Sequence, residues 1–153
     1  MKILVSACLL GENCKYSGGN NYNQAVCDFA RGHQVVPVCP EVRVGLPTPR
    51  CPAESVQGVV TNKEGINVDR EFRAGAAKAL AIAKENGVEL AILQSRSPSC
   101  GVKEIYDGTF SGTKIPGQGV FAKMLMDEGI RVLDAGELPK IILKNEDGKC
   151  QSD

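Results

Sequence analysis

KILVSACLLG, residues 2–11, decides how the rest of the chain is read. Lys2–Ser6 is a short apolar run bounded by polar and small residues, the pattern of a strand buried on both faces of a parallel sheet. The same stretch contains V-S-A-C at residues 5–8, which matches a bacterial lipoprotein cleavage site with Cys8 as the acylated residue. A secretory signal needs an apolar segment of about 7 to 15 residues before such a site. Only Ile3, Leu4 and Val5 separate Lys2 from Ser6, so a strand is expected here, and Cys8 needs another reason to stand at its end.

Working outward, Asn23–Arg31 reads as a helix stopped by Gly32, and Gln34–Val38 as a second strand. Cys39–Ala53 follows as a long proline-rich loop. Val56–Val60 and Ile66–Val68 flank N-K-E-G at 62–65 and predict a hairpin. Asp69 is placed to cap a helix running to Asn86, with Phe72, Ala76, Ala79, Leu80 and Ala83 on one face. Glu89–Leu93 reads as a third strand and Ile130–Leu133 as a fourth. Between them Gly119–Glu128 is a helix with Val120, Phe121, Met124 and Leu125 on one side. Strands alternating with helices imply right-handed crossovers and a parallel sheet. The expectation is a single α/β domain over residues 1–145: an open, mostly parallel, Rossmann-like sheet with helices on both faces and a small hairpin insertion. Residues 146–153 form a polar tail.

Composition narrows the function. Lys plus Arg and Asp plus Glu both number 18 in 153 residues, and no basic stripe is present of the kind that phosphate neutralisation requires. Nucleic acid is therefore not an expected partner. No run approaches the roughly 18 apolar residues of a membrane span, so no membrane partner is expected either. Seven cysteines is an odd count. With no recognisable signal segment, the expected location is the reducing cytoplasm, where clustered cysteines bind metal or do chemistry more often than they form bridges.

Cys8, Cys39 and Cys100 follow the first, second and third strands, so all three leave the same edge of the expected sheet. Ligands of such sheets bind beyond the carboxyl ends of the strands. Neighbouring strands lie about 4.8 Å apart, so these loops can bring thiolates to one small inorganic centre. The spacing matches no zinc-finger pattern. Cys14 and Cys51 are possible additional ligands, Cys27 reads as a small apolar residue within a helix, and Cys150 lies in the tail. The single histidine, His33, precedes the second strand on the opposite edge, which argues against a Cys–His nucleophile pair. Glu41, two residues after Cys39, is a candidate general base on water. Ser97 and Ser99 offer hydroxyl donors, and P-G-Q-G-V at 116–120 places two glycines where a helix start could bind an anion.

The segments S-A-C-L-L-G, V-P-V-C-P-E, G-L-P-T-P-R, S-P-S-C-G and I-Y-D-G-T-F-S-G occur in this order between Lys2 and about Leu133. Together they resemble the bacterial domain-of-unknown-function 523 family (DUF523), whose characterised members resemble 2-thiouracil desulfidase. The resemblance implies a [4Fe-4S] cluster held by Cys8, Cys39 and Cys100, with Glu41 as acid/base group and Ser97 as a substrate contact. It implies a small thiolated pyrimidine as substrate and a hydrolytic, redox-neutral release of hydrogen sulfide. Cys51 stands where the family pattern leads one to expect proline. The alternative is a non-catalytic zinc or iron–sulfur element with a structural or sensing role; a zinc site would be closed by a fourth ligand, Cys14 or Cys51.

Overall fold

The computed structural model describes residues 1–138; the expected tail and Cys150 lie outside the described residues. Its centre is a four-stranded sheet in the order β2-β1-β5-β8, formed by β1 (Lys2–Ser6), β2 (Gln34–Val38), β5 (Leu90–Leu93) and β8 (Arg131–Asp134). Every pairing in this sheet is parallel, with Leu4 opposite Val36 on one side and Ala91 on the other. Ile3, Leu4 and Val5 have no exposed surface, as expected of a central strand covered on both faces. A stretch buried in this way serves as core, and the lipoprotein reading of residues 5–8 finds no support in it.

Helices cover both faces. Ile3, Val5, Leu90 and Ile92 pack with Val26 and Ala30 of α1 (Gln24–Ala30). Leu4, Ala91 and Leu93 pack with Ala76, Ala79 and Ala83 of α3 (Asp69–Glu85) and with Phe121, Ala122 and Leu125 of α4 (Val120–Asp127). Each fully buried Leu, Ile or Phe contributes roughly 1.5–3 kcal/mol. Asn23 caps α1, accepting from the Val26 N–H at 3.1 Å. The expected cap of α3 differs: Val68 stands at the N-cap, and Asp69 is the first helical residue. The Asp69 carboxylate instead accepts from the Val60 N–H at 3.0 Å and from Arg73.

Both hairpins also depart from the sequence reading. The hairpin pairs β3 (Ala53–Val56) with β4 (Val59–Asn62) around Gln57 and Gly58, earlier than expected. N-K-E-G is a second turn, in which the Asn62 side chain accepts from the N–H groups of Glu64 and Ile66. A further hairpin, β6 (Glu104–Tyr106) with β7 (Lys114–Pro116), has strands too short for periodicity to register. Its I-Y-D-G-T-F-S-G loop is fastened to β3, because the Glu54 carboxylate accepts from the N–H groups of Gly108 and Phe110.

The proline-rich loop contains a short helix, α2 (Pro40–Arg43). α2 lies against Gly75 of α3 so closely that a Cβ there would be 2.9 Å from the carbonyl carbon of Pro40, with the carbonyl oxygen nearer still. An alanine in an exposed helix interior stabilises by up to about 1 kcal/mol relative to glycine. Here Gly75→Ala is expected to destabilise by about 1–3 kcal/mol, the range for overpacking, as measured by the urea unfolding midpoint. A stabilised variant would contradict the packing.

Candidate active site

The three predicted cysteines reach the carboxyl edge of the sheet by three local devices. Cys8 lies in a single turn of 3-10 helix, Ala7–Leu10, that follows β1 and is ended by left-handed Gly11 at φ 98°. Cys39 follows β2 directly and is the N-cap residue of α2, with its thiol directed to the Cys14 carbonyl at 3.9 Å. Cys100 sits in the turn after β5, where the Ser97 hydroxyl oxygen accepts from the N–H groups of Ser99 and Cys100, both at 3.0 Å. All three thiols line one cavity of about 360 Å³, together with Cys14, Cys51 and Glu41.

Cys14 is more central than the sequence suggested. Its carbonyl lies 3.9 Å from the Cys39 sulfur, and its thiol interacts with those of both Cys8 and Cys39. Against the cost of burial, this contact brings Cys8 and Cys39 down from the ordinary thiol range to about 7. The same two contacts push Cys14 strongly upward. Burial pushes the Cys100 thiol up, opposed by a hydrogen bond with the Ser6 hydroxyl. Cys27 lies apart on α1, with its thiol directed to the Leu9 carbonyl at 3.9 Å. His33 stacks on Phe29 at 5.1 Å, before β2 and outside the cavity lining.

Glu41 is held rigidly. Arg50 donates to its Oε1 from two nitrogens, at 2.7 and 3.0 Å, and the hydroxyl of fully buried Ser99 donates to its Oε2 at 2.9 Å. The ion pair is nearly enclosed, with the Arg50 and Glu41 side chains 8% and 13% exposed. Arg50 also donates to the carbonyls of Pro47 and Cys14 and to the Thr48 hydroxyl. It thus ties the G-L-P-T-P-R segment, the Cys14 loop and α2 together. Sequence reasoning missed Arg50; its position at the end of a proline-rich motif beside Glu41 was the available signal.

The two glycines before α4 do something different from the expected anion site. Their N–H groups donate to protein carbonyls, Gly117 to Lys103 and Gly119 to Gly101, and Val120 donates to Pro98. A Cβ at Gly119 would lie 2.8 Å from the Cys100 nitrogen. The glycine there permits close approach of α4 to the Cys100 turn. Among the described residues, no group of three or more His, Cys, Asp or Glu side chains is set to hold a single metal ion. A mononuclear site needs its donors within about 2.3 Å of one point. No described helix is long and apolar enough to cross a membrane.

Fold and site define a parallel α/β protein that gathers cysteine thiols and a clamped carboxylate beyond the carboxyl ends of its strands. Residues 3–137 match the 2-thiouracil desulfurase family, and the chain belongs to that family. It is 40% identical over 150 residues to the uncharacterized protein YbbK of Bacillus subtilis (strain 168), covering 92% of this chain and 99% of YbbK. A solved structure, the [4Fe-4S]-dependent thiouracil desulfidase TudS (DUF523Vcz), superposes with a TM-score of 0.83 at 39% identity. That match covers 95% of this chain and 97% of TudS.

The Glu41–Arg50 pair yields a stability prediction. Removing one partner of a nearly buried pair leaves the other charge uncompensated, which costs about 3 kcal/mol. Arg50→Met is expected to lower the unfolding free energy by about that amount in urea titration, and Glu41→Gln in the same chain to recover part of the loss. An Arg50→Met protein of unchanged stability would contradict the enclosure of the pair.

Proposed function

We propose that this chain is a [4Fe-4S]-dependent desulfidase that hydrolyses the C=S bond of a small thiolated pyrimidine of the 2-thiouracil type and releases hydrogen sulfide. The observation that carries the reading is the convergence of Cys8, Cys39, Cys100 and Glu41 on one cavity. The donor set supports it further: the cavity is lined by soft thiols, which select iron–sulfur centres over hard cations.

In this reading Cys8, Cys39 and Cys100 are the three protein ligands, and Glu41 and Ser97 act on the substrate. With three thiolates for four irons, the bound cluster supplies one open, soft Lewis-acidic position suited to a thiocarbonyl sulfur. Glu41 accepts a proton from the water that adds to the thiocarbonyl carbon. Among the described residues its Oε2 has a single donor, Ser99, and a carboxylate oxygen retains capacity for a second. Arg50 and Ser99 fix the direction of that carboxylate. The Ser97 oxygen accepts from two backbone N–H groups, and its O–H, with no acceptor among the described residues, donates to a ring carbonyl or to developing negative charge. The balance is C=S plus water to C=O plus hydrogen sulfide. Both water protons end on sulfur, and no electrons are exchanged with an outside reagent.

Anaerobically prepared protein is expected to release sulfide from 2-thiouracil. Glu41→Gln should keep its iron and acid-labile sulfide and lose about 10²–10⁴-fold in turnover, the range for a general base. Cys100→Ala should lose activity altogether. A fully loaded wild-type protein that releases no sulfide from 2-thiouracil, or a Glu41→Gln protein with full turnover, would overturn the reading.

A further inference from the structure

Asn21 belongs to none of the sequence segments that resemble the family, yet it lines the same cavity. Its Nδ2 is 3.4 Å from the Cys8 sulfur and directed to donate. Its Oδ1 accepts from Lys15 Nζ at 3.3 Å. That contact sets which way round the amide lies and draws electron density away from the N–H pointing at the sulfur. The Asn21 backbone N–H donates to the Cys8 carbonyl at 3.0 Å, so one residue grips Cys8 at both its main chain and its side chain. Among the described residues, Asn21 Nδ2 is the side-chain N–H within hydrogen-bond reach of a sulfur of Cys8, Cys39 or Cys100; the Cys39 thiol is itself directed to the Cys14 carbonyl. At Cys8 a cation, Lys15, stands directly behind the donor.

We propose that Asn21, backed by Lys15, is a positioning residue that orients the Cys8 thiolate and withdraws charge from its sulfur. This rests on the reading above, that Cys8 holds iron of a [4Fe-4S] cluster. Hydrogen bonds to ligand sulfur set the electronic character of such centres. A sulfur that has given up density to N–H donates less to iron, which leaves the metal a stronger Lewis acid toward a thiocarbonyl and raises its reduction potential. A redox-neutral hydrolysis gains from the first effect directly.

The test uses the full chain, reconstituted anaerobically, as wild type, Asn21→Leu and Lys15→Met. Resonance Raman spectra give the terminal iron–thiolate stretching frequency, a redox titration gives the midpoint potential, and a chelator gives the rate of iron loss. Asn21→Leu is expected to raise the stretching frequency, lower the potential and speed iron loss about tenfold, the factor that one hydrogen bond to a charged group supports. Lys15→Met should move the frequency and potential in the same directions by less. A loaded Asn21→Leu protein with wild-type frequency and potential overturns the proposal even if iron leaves faster, because a loosened loop alone accounts for that. Should Asn21→Leu take up no cluster, Lys15→Met decides: every thiol and Asn21 itself remain in place, and an unshifted spectrum overturns the proposal. Wild-type protein that takes up no cluster overturns the desulfidase reading itself, a result distinct from either.

Discussion

Strand β1 has a parallel partner on each side, β2 and β5, held in register over its buried residues. Parallel pairing obliges consecutive strands to end at one edge of the sheet, and each return crossover to be covered by a helix. Everything in the site follows from that arrangement. The chain passes to one side of β1 through α1 and then crosses to its other side through α3, so the strand order reverses beside β1. Open sheets hold their ligands at such a reversal, and here Cys8 leaves β1 while Cys39 and Cys100 leave its two neighbours. The fold brings together thiols that lie 31 and 61 residues apart in sequence.

Around this edge the protein commits its buried polar groups to a single purpose. Arg50 and Ser99 both donate to Glu41, and they come from different segments. Gly75 and Gly119 each permit a close backbone approach, the first beside the helix that carries Glu41, the second beside the turn that carries Cys100. The site is thus fastened to the helical layer as well as to the sheet. A small packing change in α3 or at the start of α4 would be felt at the thiols, although neither glycine lines the cavity.

The central sheet was legible because its strands are short, continuous apolar runs, and because buried strands tolerate little else. Gln34–Val38 matches its expected bounds, and Leu90–Leu93 differs by one residue. The hairpin was misplaced because N-K-E-G reads as its turn and Val56–Val60 as one arm, whereas Gln57 and Gly58 turn the chain within that segment; Gln57 adopts a left-handed conformation that side chains seldom signal. Helix α2 is four residues long and begins with proline, too short for any periodicity. Within the site, the cysteines and Glu41 were legible from their position after strands. Arg50 and Asn21 were not, because their roles come from contacts across the fold: Arg50 reaches the Cys14 carbonyl 36 residues away, and Asn21 reaches Cys8 after the chain has turned back on itself. Cys14 was legible as a thiol near the site, but its place between Cys8 and Cys39 depends on that same reversal.

The most direct measurement is the iron, zinc and acid-labile sulfide content per chain of protein purified without oxygen. A [4Fe-4S] centre predicts about four iron and about four sulfide per chain, with both lost together in Cys8→Ala. Zinc at about one per chain with no labile sulfide, the content of a closed structural site, would contradict the cluster and the desulfidase chemistry built on it.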